Sequence, residues 1–526
     1  MSTLPLNEIF VQTSKLIGQH AWEILLAKYS VIDDPETVLS FFTDENCIIC
    51  PEFASDLALV EWKQYQILQA DCDFDSNDAH FLNPTLDIVQ SKWNLVDFLN
   101  TRGKQFPQAG DYFILLWKHP VSNKTVIHTA TDRDLLIIKI LAENMRLEDV
   151  AEQGALSLGQ LHDLMLQAVS MGYVVGPSPK ISRSNEHFIL TDRFKRHRTL
   201  RSFTIQWHIT HACDLHCKHC YDRSKRSPLI LEQGMNILQQ FESFCWDNQV
   251  RGHVCFTGGN PFLSPHFFEL YQSAANHGFG TSILGNPVPR EKVVQMVAIQ
   301  KPTYYQVSLE GLPKHNDYIR GQGNFSSVIE FLGVLRDVDI IPSVMLTLTR
   351  DNIDQVLPLG ERLRGHAKRL NFNRLSQVGE GADLMLPSKE TYLEFLRQYV
   401  EASKTNPVLC YKDNLLNPIL EEKDYPLFGG CTSYGCGAAF SFLTLLPDGE
   451  VHACRKFPSP LGNVLEQNLS DIFGSDLAER YRQGTAGCAD CELKLVCGGC
   501  MALAASSNCD IFTQHDPFCP LDTVQK

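Results

Sequence analysis

Three cysteines, Cys213, Cys217 and Cys220, fall in the stretch HITHACDLHCKHCYDR as C-x3-C-x2-C, directly after an apolar run at 203–210. On a loop, that spacing brings three thiolates to one iron–sulfur cluster, and because an ordinary four-iron cube is held by four, one iron is left open. An open coordination position separates a reactive metal centre from a structural one. The same spacing also suits a zinc site that takes His211, His216 or His219 as fourth ligand. A second group of thiols runs Cys431-x4-Cys436, Gly449-x4-Cys454, Cys488-x2-Cys491-x5-Cys497-x2-Cys500, then Cys509 and Cys519. These suffice for two four-ligand iron–sulfur clusters or for two zinc ribbons. The chain has 18 cysteines, none between 73 and 212 and nine between 431 and 519. In a reducing compartment such thiols serve metal ligation or redox chemistry; in a secreted chain they would read as disulfides.

Elements must place these thiols. From residue 200 onward strand patterns at 203–210, 252–257, 280–284, 304–309, 340–347 and 369–373 alternate with amphipathic helical patterns near 229–246, 264–277, 290–299, 325–337 and 353–364. Six strand-plus-helix units imply a parallel sheet whose right-handed crossovers curl it toward an open barrel, with chemistry at the C-terminal strand ends. The triad then sits just past the first strand. Residues 386–526 read as a loop-rich and cysteine-rich segment with few apolar runs, which would need metal clusters as staples.

Ahead of the barrel, residues 1–105 read as mainly helical, with a helix over Ser55–Leu68 opened by a capping serine and strand-like and loop segments after it. Cys47 and Cys50 form a CxxC, with Cys72 further on; lacking a matched second pair, they read as plain thiols. Residues 106–180 combine strands at 112–118 and 125–129, a helix capped by Asp132, a short helix from Leu147, a helix Leu161–Met171 ending at Gly172, and a closing Tyr-Val-Val strand. That order suits a winged-helix module. Residues 177–200, with Pro177, Pro179 and several serines, read as a linker.

At 526 residues the chain is long enough for two to four domains at about 100–200 residues each. Hydrophobic residues at 44% and charged residues at 20% exclude wholesale disorder and rod-like folds. The net charge of −15 and the acidic stretch 132–153 argue against a dedicated nucleic-acid binder. No charged-then-apolar N-terminal signal and no run near the roughly 18 apolar residues of a membrane span is present, so a cytoplasmic protein without membrane attachment is expected.

The triad, with Tyr221 beside its last cysteine and its place after the first barrel strand, resembles the defining signature of the radical S-adenosylmethionine (SAM) superfamily. The resemblance implies a [4Fe–4S] cluster on Cys213, Cys217 and Cys220 whose free iron binds SAM, and reductive cleavage of SAM to a radical that takes a hydrogen atom from substrate. Thr257-Gly258-Gly259-Asn260-Pro261 is similar to the family's GGEP-type loop, which receives the SAM amino group; Asn260 stands where Glu is usual and brings no negative charge. Ser308-Leu309-Glu310-Gly311 and Arg320-Gly321 resemble the segment in which, here, Ser308 and Arg320 would hold the SAM carboxylate.

The C-terminal thiols resemble the SPASM extension, which implies two auxiliary [4Fe–4S] clusters: Cys431, Cys436, Cys454 and Cys500 on one, Cys488, Cys491, Cys497 and Cys519 on the other. The Cys497-x2-Cys500 spacing is one residue shorter than usual, which leaves Cys509 as the alternative to Cys500. The expected fold is therefore α/β: a partial (β/α)6 barrel over 200–385, a SPASM domain over 386–526, and the helical and winged-helix-like regions over 1–105 and 106–180. The winged-helix-like region resembles the peptide-recognition domain of peptide-modifying enzymes, in which a leader peptide adds a strand to a sheet edge. Together these imply a maturase of a ribosomally made precursor peptide, served by a flavodoxin- or ferredoxin-type reductant. Segments such as GGNP, FNRLSQVGEG (372–381) and HACRKFPSP (452–460) are most similar to the thio(seleno)oxazole, or selenobiotic, peptide maturases. The alternatives are a maturase of a folded protein, such as a sulfatase or quinone-cofactor precursor, and a non-catalytic iron–sulfur carrier or redox regulator.

Overall fold

The computed structural model describes residues 6–28, 50–72, 74, 79–154 and 156–521; Cys47 lies outside them. The chain divides into two compact units, Met1–Ser178 and Pro179–Lys526.

In the first unit, β2 (Asp87–Asn94), β3 (Gln108–Lys118) and β4 (Thr125–Thr129) form an antiparallel sheet in that order, while the short β1 (Phe81–Leu82) pairs with β5 (Val174–Val175). The helix Ala54–Gln69 lays Leu57, Val60 and Ile67 against Val89, Ile114 and Leu116 of the sheet. Helices Asp132–Ala142, Leu147–Gln153 and Leu158–Met171 follow. The first is capped by Thr131 and not by Asp132: the Thr131 hydroxyl accepts from the Asp134 N–H, and the Asp134 carboxylate accepts from the Thr131 N–H at 2.9 Å, a reciprocal capping box. Ser157 and Gln160 make another, which starts the third helix three residues ahead of the expected Leu161. Gly172 closes it at φ 89°, a left-handed conformation that glycine adopts without steric penalty.

The second unit is built on one nine-stranded sheet. β6 (Ser202–Thr210), β7 (Arg251–Gly258), β8 (Gly280–Leu284), β9 (Tyr305–Ser308), β10 (Pro342–Leu348) and β11 (Arg369–Arg374) lie side by side in chain order and all parallel. Alternation along β6 explains its two faces: Phe203, Ile205, Trp207 and Ile209 are buried in the core, while Gln206 and His208 take the opposite face. The helix Leu231–Asp247 covers the apolar face, its Phe244 ring meeting that of Phe203 edge-on at 4.8 Å.

Two expectations are corrected. Residues 177–200 are not a spacer: Ile181, Phe188, Phe194 and Leu200 belong to the barrel core, and Asp192–His197 forms a 3-10 helix. The buried Arg183 guanidinium lies 3.8 Å over the Phe440 ring and donates to the carbonyls of Arg482 and, at 2.7 Å, Cys436. The C-terminal segment is likewise no appendage held only by staples. β12 (Phe442–Leu445) joins the free edge of β6 in parallel, with Phe442 opposite Thr204 and Leu445 opposite Trp207. β13 (Glu450–His452) and β14 (Pro460–Asn463) continue the sheet antiparallel. Leu443, Val451, Val496 and Leu503 are buried in the same core as the barrel strands.

Candidate active site

A cavity of about 230 Å³ opens where β6, β7 and β9 end, lined by Cys213, Cys217, Cys220, Gly258, Gly259 and Ser308 among others. The glycines hold the cysteine loop in place. A Cβ on Gly258 would stand 2.2 Å from the Thr210 carbonyl oxygen, and one on Gly259 2.1 Å from that of Ala212, both far inside contact distance. The Gly259 and Asn260 N–H groups donate to those same two oxygens at 2.8 Å. Only residues without a side chain let β7 end this close to the loop that carries the triad. Burial pushes the Cys217 and Cys220 thiols up; Arg320 works against this at Cys217, the Asp222 backbone and Arg223 at Cys220.

Ser308 and Arg320 line the same cavity. Arg320 arrives neutralised: its Nε and Nη2 donate to Glu310 Oε1 at 2.9 and 2.6 Å, and Nη1 lies 3.7 Å from the Cys217 Sγ. The other oxygen of the buried Glu310 accepts from the Thr347 N–H at 2.7 Å, and His219 Nε2 stands 3.3 Å from Oε1. Burial acts to raise the Glu310 pKa, but His219 and Arg320 outweigh it and hold the carboxyl down at about 2. Asn260, in contrast, is turned away from the cavity. Its Oδ1 caps the Phe262 N–H, and its Nδ2 donates at 3.2 Å to Asp214 Oδ1, which also accepts from Asn286 Nδ2 at 2.7 Å. The carboxylate near this loop is thus Asp214, next in sequence to Cys213.

Several cavity residues escaped sequence reasoning. His208 projects from the polar face of β6, 3.1 Å from the Tyr221 hydroxyl, and burial pushes its imidazole down to about 3, with Arg455 adding to the effect. The alternation of β6 was a usable signal. Arg374, Arg455 and Lys456 also line the cavity; the last two follow Cys454 on the loop after β13, which no barrel pattern would place there.

The C-terminal cysteines gather into two sets. Cys488, Cys491, Cys497 and Cys519 line one small cavity with Asp516. Burial raises the Cys436 thiol to about 11 and that of Cys454 to about 12; Cys500 and Cys431 add to the first, Cys500 and Cys436 to the second. Cys500 is therefore a neighbour of Cys436 and Cys454, while the Cys509 Sγ lies 3.8 Å from the Ser507 carbonyl oxygen. All eleven candidate ligands are free thiols. Among the described residues no three His, Cys, Asp or Glu side chains converge tightly enough to hold one metal ion; the triad lines one cavity and Cys488, Cys491, Cys497 and Cys519 another. Free thiols grouped without disulfides are a donor set that fits iron–sulfur clusters, which bind the thiolate form.

Fold and site together define a barrel enzyme built around a loop-borne iron–sulfur centre. Residues 207–363 match the Radical SAM superfamily and residues 436–500 match SPASM, an iron–sulfur cluster-binding domain. The chain is 30% identical over 321 residues to the mycofactocin maturase MftC of Mycolicibacterium smegmatis, covering 57% of this chain and 78% of that protein. It is 27% identical over 320 residues to the antilisterial bacteriocin subtilosin biosynthesis protein AlbA of Bacillus subtilis, covering 57% and 67%. The crystal structure of Streptococcus suis SuiB superposes with a TM-score of 0.50 at 15% identity, over 78% of this chain and 96% of that one, a likeness of fold. The chain belongs to the radical SAM superfamily and carries a SPASM domain; it is an enzyme that uses SAM and [4Fe–4S] clusters.

Proposed function

We propose that this enzyme matures a ribosomally made precursor peptide by hydrogen-atom abstraction. The observation that carries the reading is the one cavity shared by the triad, Gly258, Gly259, Ser308 and Arg320. Similarity to a maturase and to a bacteriocin biosynthesis protein supports a peptide substrate.

Cys213, Cys217 and Cys220 would hold the first cluster, which together with SAM supplies a reductively generated radical at the cavity. Cys431, Cys436, Cys454 and Cys500 would hold one auxiliary cluster and Cys488, Cys491, Cys497 and Cys519 the other. Gly258 and Gly259 fix the loop. The Ser308 hydroxyl offers SAM a polar contact. Arg320, clamped on Glu310, sets a positive charge against the Cys217 thiolate and favours its formation. In the first unit, among the described residues β4 pairs only with β3, and its other edge suits a leader peptide that adds a strand. Electrons would come from a flavodoxin- or ferredoxin-type partner in the cytoplasm; among the described residues no helix is long and apolar enough to cross a membrane.

Anaerobic reconstitution followed by dithionite and SAM tests this reading. Release of 5′-deoxyadenosine, increased by a precursor peptide encoded beside the enzyme, is the expected result; none, with or without peptide, overturns it.

A further inference from the structure

The charges around the cavity do not balance. Arg320 is paired with Glu310, Arg374 with Asp413 and Asp516, and Arg223 with Glu380, while Lys456 donates to the Arg374 carbonyl. Arg455 lines the same cavity, half-buried, and among the described residues no carboxylate pairs with it. Asp222 is the one carboxylate lining the cavity, and it faces His211 at 3.5 Å.

The surroundings of Arg455 say where it lies. The groups that bear most on its charge are Tyr221, Cys255, Cys454 and Tyr304, and its own charge bears on His208. Cys255 lies earlier in β7 than Gly258, and Tyr304 precedes β9, which ends at Ser308. The guanidinium therefore lies near barrel positions that precede Gly258 and Ser308, in the cavity that also holds Tyr221 and His208. A lone guanidinium at a partly desolvated site has a strong drive to pair with an anion, and its planar fork matches a carboxylate.

We propose that Arg455 is a substrate-binding residue that receives a carboxylate of the peptide, from an Asp or Glu side chain or from the peptide's C-terminus. This deepens the maturase reading and rests on it: the peptide segment presented to the radical would be chosen for an acidic group.

The reconstituted, SAM-loaded enzyme can be titrated by calorimetry, without turnover, with Ac-Gly-Glu-Gly-NH2, its Gln counterpart, Ac-Gly-Gly-OH and Ac-Gly-Gly-NH2. At least one acid is expected to bind about tenfold more tightly than its amide, as a charged hydrogen bond allows. A preference for the Glu peptide assigns a side-chain carboxylate, and one for Ac-Gly-Gly-OH the C-terminal group. Arg455→Gln should abolish the preference with iron content and SAM affinity unchanged, and Arg455→Lys should keep part of it. Equal affinities for acids and amides in the native enzyme overturn the proposal, even if the Gln variant does not fold. So does a preference that survives Arg455→Gln, or a variant that retains it while losing iron or SAM affinity, which would make Arg455 a counter-charge for the cofactors. A missing 5′-deoxyadenosine signal would instead count against the maturase reading alone.

Discussion

Arg320 enters the cavity with its charge already answered by Glu310, and that pairing sets an acid limit on the site. Glu310 titrates near 2 in the folded protein against an ordinary 4.5. A carboxyl whose pKa is depressed by folding contributes stability that is fully present above the unfolded value and is lost as pH falls toward the folded one. Here that window runs from about 4.5 downward, and the contribution is on the order of 3 kcal/mol. Urea unfolding of the metal-free protein should show stability falling between pH 5 and 3, and Glu310→Gln should flatten that slope while lowering stability at neutral pH. An unchanged slope in the variant would remove Glu310 from the account. Chemistry at this scale was partly legible. Cysteine spacing is a covalent fact of the chain, so the triad could be read directly. The direction of Asn260 could not, because it depends on Asp214 and Asn286, which lie far apart in sequence and meet only through the fold.

At the level of elements, β11 is tied to the C-terminal segment by one buried arginine. Arg374, at the end of the strand, donates to both oxygens of Asp516 at 2.9 and 2.7 Å and to Asp413 at 2.9 Å. Asp516 in turn accepts from the Cys500 N–H at 3.0 Å. Removing one partner of such a network strands buried charge, so Arg374→Ala should cost about 3–5 kcal/mol. It should also loosen iron at the set containing Cys500 before the triad, readable as a stepwise loss of iron on chelator challenge. The six barrel strands were legible because each is a short apolar run bounded by a helical pattern. β2 was legible only as a strand-like segment without bounds, because Ile88, Val89 and Trp93 are spread among polar residues. Residues 181–200 were missed because Ile181, Phe188, Phe194 and Leu200 recur with neither a strand nor a helix period. Only the tertiary core gives those side chains their role.

At the scale of the molecule, the described residues of the barrel core come from Pro179–Lys526, and the first unit packs clusters of its own. Residues 179–526 alone should therefore bind iron and cleave SAM while losing affinity for the precursor peptide, measured by fluorescence anisotropy of a labelled leader. A fragment beginning at 201 should fold poorly, because it lacks Arg183 and the apolar residues that precede β6. Retained leader affinity in the first fragment would remove the recruitment role of the N-terminal unit.

The pairing of β12 with β6 also fixes an order of events during synthesis. The strand that leads into the triad gains one neighbour from Arg251–Gly258 but the other only from Phe442–Leu445. A nascent chain must keep one edge of β6 exposed until most of the protein has emerged, and such long-range closure makes folding slow. The strand that leads into the triad is thus among the last to be finished, and a premature stop before residue 442 would leave every triad cysteine present behind a strand with one side bare.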